Sequence, residues 1–199
     1  MKIKLGFWVV LMTSLLLTAC STTVERLDAQ QEVDLSGAWN DTDSQLVARE
    51  MVDDALSRAW ITNFVKQNGT QPTVIVGRIK NLSHEHINTN TFIANIEREL
   101  INSGDVQFVA SATSRQEIRD ERADQDLNAT EATRKEMGQE YGADFMMQGQ
   151  INTIIDVDGS TQVRFYQVNL ELISIKDNRK VWVGEKKIKK LVSNSKIRG

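Results

Sequence analysis

The chain has 199 residues, with 24 Lys and Arg against 27 Asp and Glu and a formal net charge of −3. An acidic balance speaks against nucleic acid as the main partner, because neutralising phosphates needs a basic face. One cysteine excludes an intrachain disulfide, so a chain that is 40% hydrophobic and 26% charged must hold itself together by packing.

Residues 1–19 read as a secretory leader. Met1-Lys2-Ile3-Lys4 is a short cationic start, and the apolar run from Leu5 to Leu17 is broken only by Gly6, Thr13 and Ser14. That run is too short to span a bilayer and ends in small residues. The stretch Leu17-Thr18-Ala19-Cys20 closes it with aliphatic, small, small, Cys, a pattern that resembles the bacterial lipobox. The resemblance implies acylation of the Cys20 thiol, cleavage before Cys20 and acylation of the new amino terminus. Several acyl chains on one residue exceed the two signals that stable anchoring requires. Ser21, rather than Asp, favours the outer membrane by the sorting rule known for enterobacterial lipoproteins. Cleavage leaves 180 residues and, with Lys2 and Lys4 gone, a formal charge of −5. Residues 20–41 are expected to form a flexible tether, the stretch Ser21–Asn40 being polar and weakly periodic. Fully extended, such a stretch reaches at most about 70 Å.

The folded domain is expected over 42–192, with 193–199 as a tail. Thr42 and Gln45 have the form of a capping box. Val52, Leu56, Ala59, Trp60 and Phe64 then recur at helical spacing, predicting one helix of about 25 residues that stops near Asn68-Gly69. Trp60 belongs to its core face. Pro72 opens a short buried strand, Thr73–Ile79, followed by a polar loop over Asn81–Asn90. Phe92, Ile96 and Leu100 form the stripe of a second helix with Gly104 as its stop, and Val106–Val109 is a second strand. Strand, helix, strand with short links predicts a βαβ unit with parallel strands. Thr113 with Gln116, and Asn128 with Glu131, mark two further helix starts, the latter helix ending at Tyr141-Gly142. The charged stretch Glu117–Leu127 is too polar for a core and reads as a helix or a loop.

The last third changes period. Phe145, Met147, Gly149, Ile151, Thr153 and Ile155 alternate against Met146, Gln148, Gln150, Asn152 and Ile154. Asp158-Gly159 marks a turn; Tyr166, Val168, Leu170 and Leu172 alternate next; Lys176–Arg179 is a second turn; and Val181-Trp182-Val183 starts another strand. This is an antiparallel meander with one wet and one dry face. The fold class is therefore α/β: a single layered domain with helices on a mixed sheet, a βαβ unit followed by an antiparallel three-strand meander.

Little in the chain carries chemistry. His84-Glu85-His86 is the only histidine cluster, and two imidazoles without a third ligand do not make a zinc site. No nucleophile elbow, phosphate loop, dinucleotide fingerprint or zinc-protease motif is present. No catalytic residue, metal or cofactor is assigned. The run Glu185-Lys186-Lys187-Ile188-Lys189-Lys190 reads either as a contact for anionic head groups or an acidic partner, or as the lysine guard of an exposed edge strand. Asn81, His84, His86, Lys186 and Lys187 are the candidate partner-binding residues.

Three stretches, PTVIVGRIKNLSHEHINTNTFIANIERELINSGDVQFVAS, EYGADFMMQGQI and FYQVNLELISIKDNRKVWVGEKKIKK, resemble the LpoB-type lipoproteins, outer-membrane activators of penicillin-binding proteins. The similarity runs from about Gln45 to Lys190. It implies a fold like the amino-terminal domain of TolB. It also implies a non-enzymatic role: binding the small accessory domain of a bifunctional penicillin-binding protein from the outer-membrane side, with the lipid anchor facing the periplasm, and stimulating peptidoglycan synthesis. The alternative is an assembly subunit of an outer-membrane secretion or organelle complex on the same fold. Familiar enterobacterial members carry a long, proline-rich tether; here the stretch has no proline.

Overall fold

Helix α1, Asp41–Leu56, starts where Asn40 and Asp43 cap each other. The Asn40 side chain accepts from the Asp43 backbone N–H, and the Asp43 carboxylate accepts from that of Asn40, both at 3.0 Å. The capping box is thus two residues earlier than Thr42 and Gln45 suggest. Asp41 and Asp43 in the first turn also complement the positive end of the helix.

In this computed structural model residues 24–28, 31, 33–135 and 140–193 are described. The chain divides into two units, Met1–Glu32 and Val33–Gly199. In the first, residues 24–28 are exposed and the Gln31 N–H donates to the Asp28 carbonyl at 3.1 Å. The leader and Cys20 lie outside the described residues.

The second unit is a five-stranded mixed sheet with helices on it. Strands β1 (Thr73–Leu82), β2 (Gln107–Phe108), β3 (Phe145–Asp158), β4 (Thr161–Ser174) and β5 (Lys180–Ser193) stand in the order β2-β1-β3-β4-β5. β1 pairs parallel with β2 and β3, and β3, β4 and β5 form the antiparallel meander. The βαβ unit and the meander are as the sequence pattern predicts. Helix α3, Thr89–Ser103, links β1 to β2 and ends at Gly104, whose φ of 72° is the left-handed conformation that glycine adopts freely.

One face of the sheet makes the core. Val47, Ala48, Met51, Val52 and Ala55 of α1 and Phe92, Ile96 and Leu100 of α3 form its helical side; Val74, Val76, Ile79, Phe145, Met147, Ile151, Val168, Leu170, Leu172 and Trp182 form its sheet side. Burying one such large apolar side chain contributes about 1.5–3 kcal/mol. The indole of Trp182 donates to Asp54 at 2.8 Å, fixing α1 on β5. That bond, followed by the Arg58 ion pair, holds the Asp54 carboxyl below its usual range.

The single long helix expected to Asn68 is two helices. α1 ends at Leu56 and α2 runs Ala59–Asn68, with Arg58 extended between them. The break turns Trp60 inward, where its indole donates to the Ala55 carbonyl at 2.7 Å and its ring stands edge-on to Phe145 at 5.0 Å. Trp60 is core, as its spacing predicts.

Further along, helix α4 covers Ala112–Asn128, capped by Ser111 rather than Thr113, and none of its residues is buried. Asn128 ends this helix instead of starting another. Its successors make a turn in which Thr133 and Arg134 N–H groups donate to the Thr130 carbonyl. Of the helix expected to reach Gly142, residues 136–139 lie outside the described set, and 140–143 are not helical.

The expected tether also ends early. Residues 33–40 are a strap on the domain: Gly37 is buried and Trp39 packs against the core.

Candidate docking surface

The strap is held by polar contacts over an aromatic base. Trp39 stands edge-on to Phe92 and Tyr166, ring centroids 6.0 and 5.7 Å away. The Glu85 carboxylate accepts from the Trp39 backbone N–H (3.0 Å), the Tyr166 hydroxyl (2.6 Å) and Arg164 (3.0 Å). Lys190 donates to Asp43 at 2.6 Å and the Ala38 carbonyl at 3.1 Å and pairs with Asp34 at 2.8 Å. Burial pulls the Lys190 ammonium down, but the hydrogen bonds to Asp34 and Asp43 outweigh it and its pKa rises. Gly37 accepts no substitute, since its φ is +65° and an added Cβ would lie 2.2 Å from Val192.

These contacts divide the residues singled out in the sequence. Asn81 builds the loop after β1, donating to the Glu85 carbonyl and accepting from Ser83. His84 is exposed and its Nδ1 lies 3.0 Å from the Thr153 hydroxyl; His86 is exposed. Among the described residues no three His, Cys, Asp or Glu side chains gather as metal ligands. Lys186 and Lys190 point to the helical face, Lys186 pairing with Glu50 of α1. Lys187 points the other way, beside Glu185 at 2.5 Å. Sequence adjacency therefore hides a split, because consecutive strand residues face opposite sides. Inward lysines on an edge strand fit the guard reading; Lys187 alone of the five is on the open face.

The outward-pointing residues of β3, β4 and β5 form the other face of the sheet. α1 and α3 pack on the opposite side, so the alternate residues of β3, β4 and β5 meet solvent. Across it Gln148 stands opposite Glu171, Gln150 opposite Asn169, Asn152 opposite Gln167 and Ile154 opposite Phe165. On the next strand Phe165 faces Lys189, Gln167 faces Lys187 and Val163 faces Leu191. The middle is thus a field of amides. One end is apolar, with Ile154 65% and Leu191 70% exposed beside Phe165. Arg78 and Lys80 of β1 and Lys187 and Lys189 of β5 flank it. Glu171 is already engaged by Lys180 at 2.5 Å and Gln148 at 3.0 Å, which hold its pKa down.

Its size suits a protein partner. Three strands of 14 residues, at about 3.3 Å per residue and about 4.8 Å apart, offer on the order of 650 Å2. The exposed end of β1 widens this toward the roughly 800 Å2 that one partner gives a standard interface. Gly149 lets β4 approach β3 closely, as an added Cβ would lie 2.1 Å from the Asn169 carbonyl oxygen.

A sequence profile described as the peptidoglycan-synthase activator LpoB matches residues 43–188, most of the chain. The chain belongs to the LpoB family. No curated protein matches it. Among solved structures, this LpoB-family chain is similar to the nuclear magnetic resonance structure of Escherichia coli LpoB, with 11% identity and a TM-score of 0.43 over 89% of this chain and 84% of that one. It is similar to the E. coli LpoB C-terminal domain, with 13% identity and 0.41 over 73% and 98%. It is also similar to lipoprotein GNA1162 from Neisseria meningitidis, with 14% identity and 0.42 over 63% and 88%. Among the described residues, no helix of this LpoB-family chain is long and apolar enough to cross a membrane.

The open face was half legible in sequence. The alternation marks Gln148, Gln150, Asn152 and Ile154 as the wet side of β3, yet nothing in a single strand tells that Phe165, Lys189 and Arg78 join them. The Glu85, Arg164, Tyr166 and Trp39 cluster left no local signal at all.

Proposed function

We propose that this chain is a lipid-anchored regulator that binds a bifunctional penicillin-binding protein through the open sheet face and stimulates peptidoglycan synthesis without performing chemistry itself. The observation that carries the reading is the match to a peptidoglycan-synthase activator family over residues 43–188. The uncovered face gives that activity a surface of suitable size. The anchor is Cys20, placed in the outer membrane with the domain facing the periplasm; residues 1–19 are the leader and the tether runs from Cys20 to Glu32, where the folded unit takes over.

A regulator shifts its partner's equilibrium only by binding the active state more tightly. Stimulation of glycan polymerisation by purified synthase should therefore saturate with added protein and disappear when the synthase's accessory domain is deleted. Absence of both binding and stimulation at tens of micromolar, with capture of an export or assembly component instead, points to the assembly-subunit role. Replacing Cys20 with Ser should leave an uncleaved or misplaced precursor whose domain still folds; normal processing and outer-membrane fractionation of that variant would remove the anchor.

A further inference from the structure

At the opposite end of the sheet from the apolar end of the open face lies a cleft of about 840 Å3 between α2 and the β4–β5 turn. Its size is in the range of about 300–1,000 Å3 usual for small-ligand sites. The floor is aromatic: Phe145 is buried and stands edge-on to Trp60 and Phe64, at 5.0 and 5.5 Å. α2 contributes the Asn63 and Gln67 amides to one wall, and the turn contributes Lys176, Asp177 and Arg179 to the other.

The hydrogen-bonding capacity of the walls is one-sided. Both carboxylates are engaged within the protein. Asp144 accepts from the Thr73 N–H at 2.8 Å. Asp177 is held below the usual carboxylate range by a hydrogen bond from Ser174 and by Arg179, whose Nε lies at 2.6 Å. The donors are not exhausted in the same way. Among the described residues Arg179 donates through its Nε, and its two terminal nitrogens make no hydrogen bond. Lys176 has no ion-pair partner, and Asn63 and Gln67 no side-chain hydrogen bond, among the described residues.

We infer that this cleft binds a short peptide by its free carboxylate. Arg179 and Lys176 take the carboxylate, Asn63 and Gln67 pair with peptide N–H and C=O groups, and an apolar side chain rests on Phe64. Amides matter here because a peptide presents donors and acceptors together, which a simple anion does not. The inference stands on the cleft alone and does not depend on the synthase reading.

Calorimetric titration of the purified full chain tests it. The probe is an acetylated alanine-phenylalanine-alanine tripeptide with a free carboxy terminus, run against the same tripeptide amidated. The free acid should bind in the micromolar to millimolar range, with the amide about tenfold or more weaker. K176E and R179E should each abolish the difference, and K176A, which leaves the Asp177–Arg179 pair intact, should weaken it. F64A should weaken acid and amide alike, and K187E on the open face should change nothing. Equal binding of acid and amide, no heat with either at about 1 mM, or unaltered binding to K176A and R179E would overturn the inference.

Discussion

Tyr166 and Glu85, 81 residues apart in sequence, share a 2.6 Å hydrogen bond beneath the strap. The phenol is fully buried, and its oxygen also lies 3.1 Å from the Gly37 carbonyl. Burial first, and then the hydrogen bond to Glu85, push its pKa far above that of an ordinary tyrosine. One side chain thus ties the loop after β1, the strap and the middle of β4 together.

That relationship gives a pH dependence with a definite sign. A group whose folded pKa is raised stabilises the fold fully below its unfolded pKa, here about 10, and the contribution is lost as pH rises above it. Alkaline denaturation should therefore steepen above about pH 10. Tyr166→Phe should reduce that steepening, leaving the share due to Lys190, while costing about 1–2 kcal/mol at neutral pH, since Glu85 keeps its other donors. Stability measured by denaturant at several pH values checks this. Ultraviolet titration in a Tyr141→Phe background then isolates the buried phenol, because the chain has only 2 tyrosines.

The strap sets where a soluble fragment must begin. A fragment starting at Asp41 lacks Gly37 and Trp39 and leaves Glu85 and Lys190 short of partners, whereas one starting at Val33 keeps them. The shorter fragment should unfold at distinctly lower denaturant with a smaller m-value, having less surface to expose. Matching transitions for the two fragments would show that residues 33–40 add nothing.

Lys190 is the strap's second fixing point and the more dangerous to remove. Its side chain is 11% exposed, and that of Asp43 is 9% exposed. Lys190→Met leaves Asp43 without its cation in a half-dry place, and breaking such a pair by one partner costs about 3 kcal/mol or more. Adding Asp43→Asn should recover part of the loss. A double-mutant cycle in urea measures the coupling, and strict additivity would mean that the two groups do not sense each other.

Elements made of nearby residues were readable, and those made of distant ones were not. The Phe92, Ile96, Leu100 stripe gave α3, and strict alternation gave β3 and β4, because each needs only its own neighbours to declare a face. The break after Leu56 has no glycine or proline to announce it; it exists because Trp60 finds Phe145, which lies 85 positions later. Likewise Val33–Asn40 reads as tether because the contacts that fix it to the sheet come from far along the chain. Asp34, Gly37 and Trp39 find their partners at Lys190, Tyr166 and Glu85. Lys186 and Lys187, treated as one charge feature in sequence, are separated by the pleat into a structural cation and a surface one.

On the open face, charge and apolar area should fail differently. Phe165 lies at the centre of the apolar end, between Ile154 and Lys189. Such a site excludes water when covered, so Phe165→Ala should weaken binding to the synthase by about 2 kcal/mol or more and act mainly by faster dissociation. Lys187 and Lys189 lie toward the edge and are exposed. Charges there steer encounter more than they hold the complex, so reversing both should mainly slow association and reduce its salt dependence. Neither change should move the denaturation midpoint much, because neither side chain belongs to the core. Lys186→Ala supplies the contrast: it removes only a partly exposed pair with Glu50 and should leave synthase binding unaltered. Surface-immobilised synthase at two ionic strengths separates the rates. If both open-face variants bind as the parent does while remaining folded, the contact lies elsewhere on the domain.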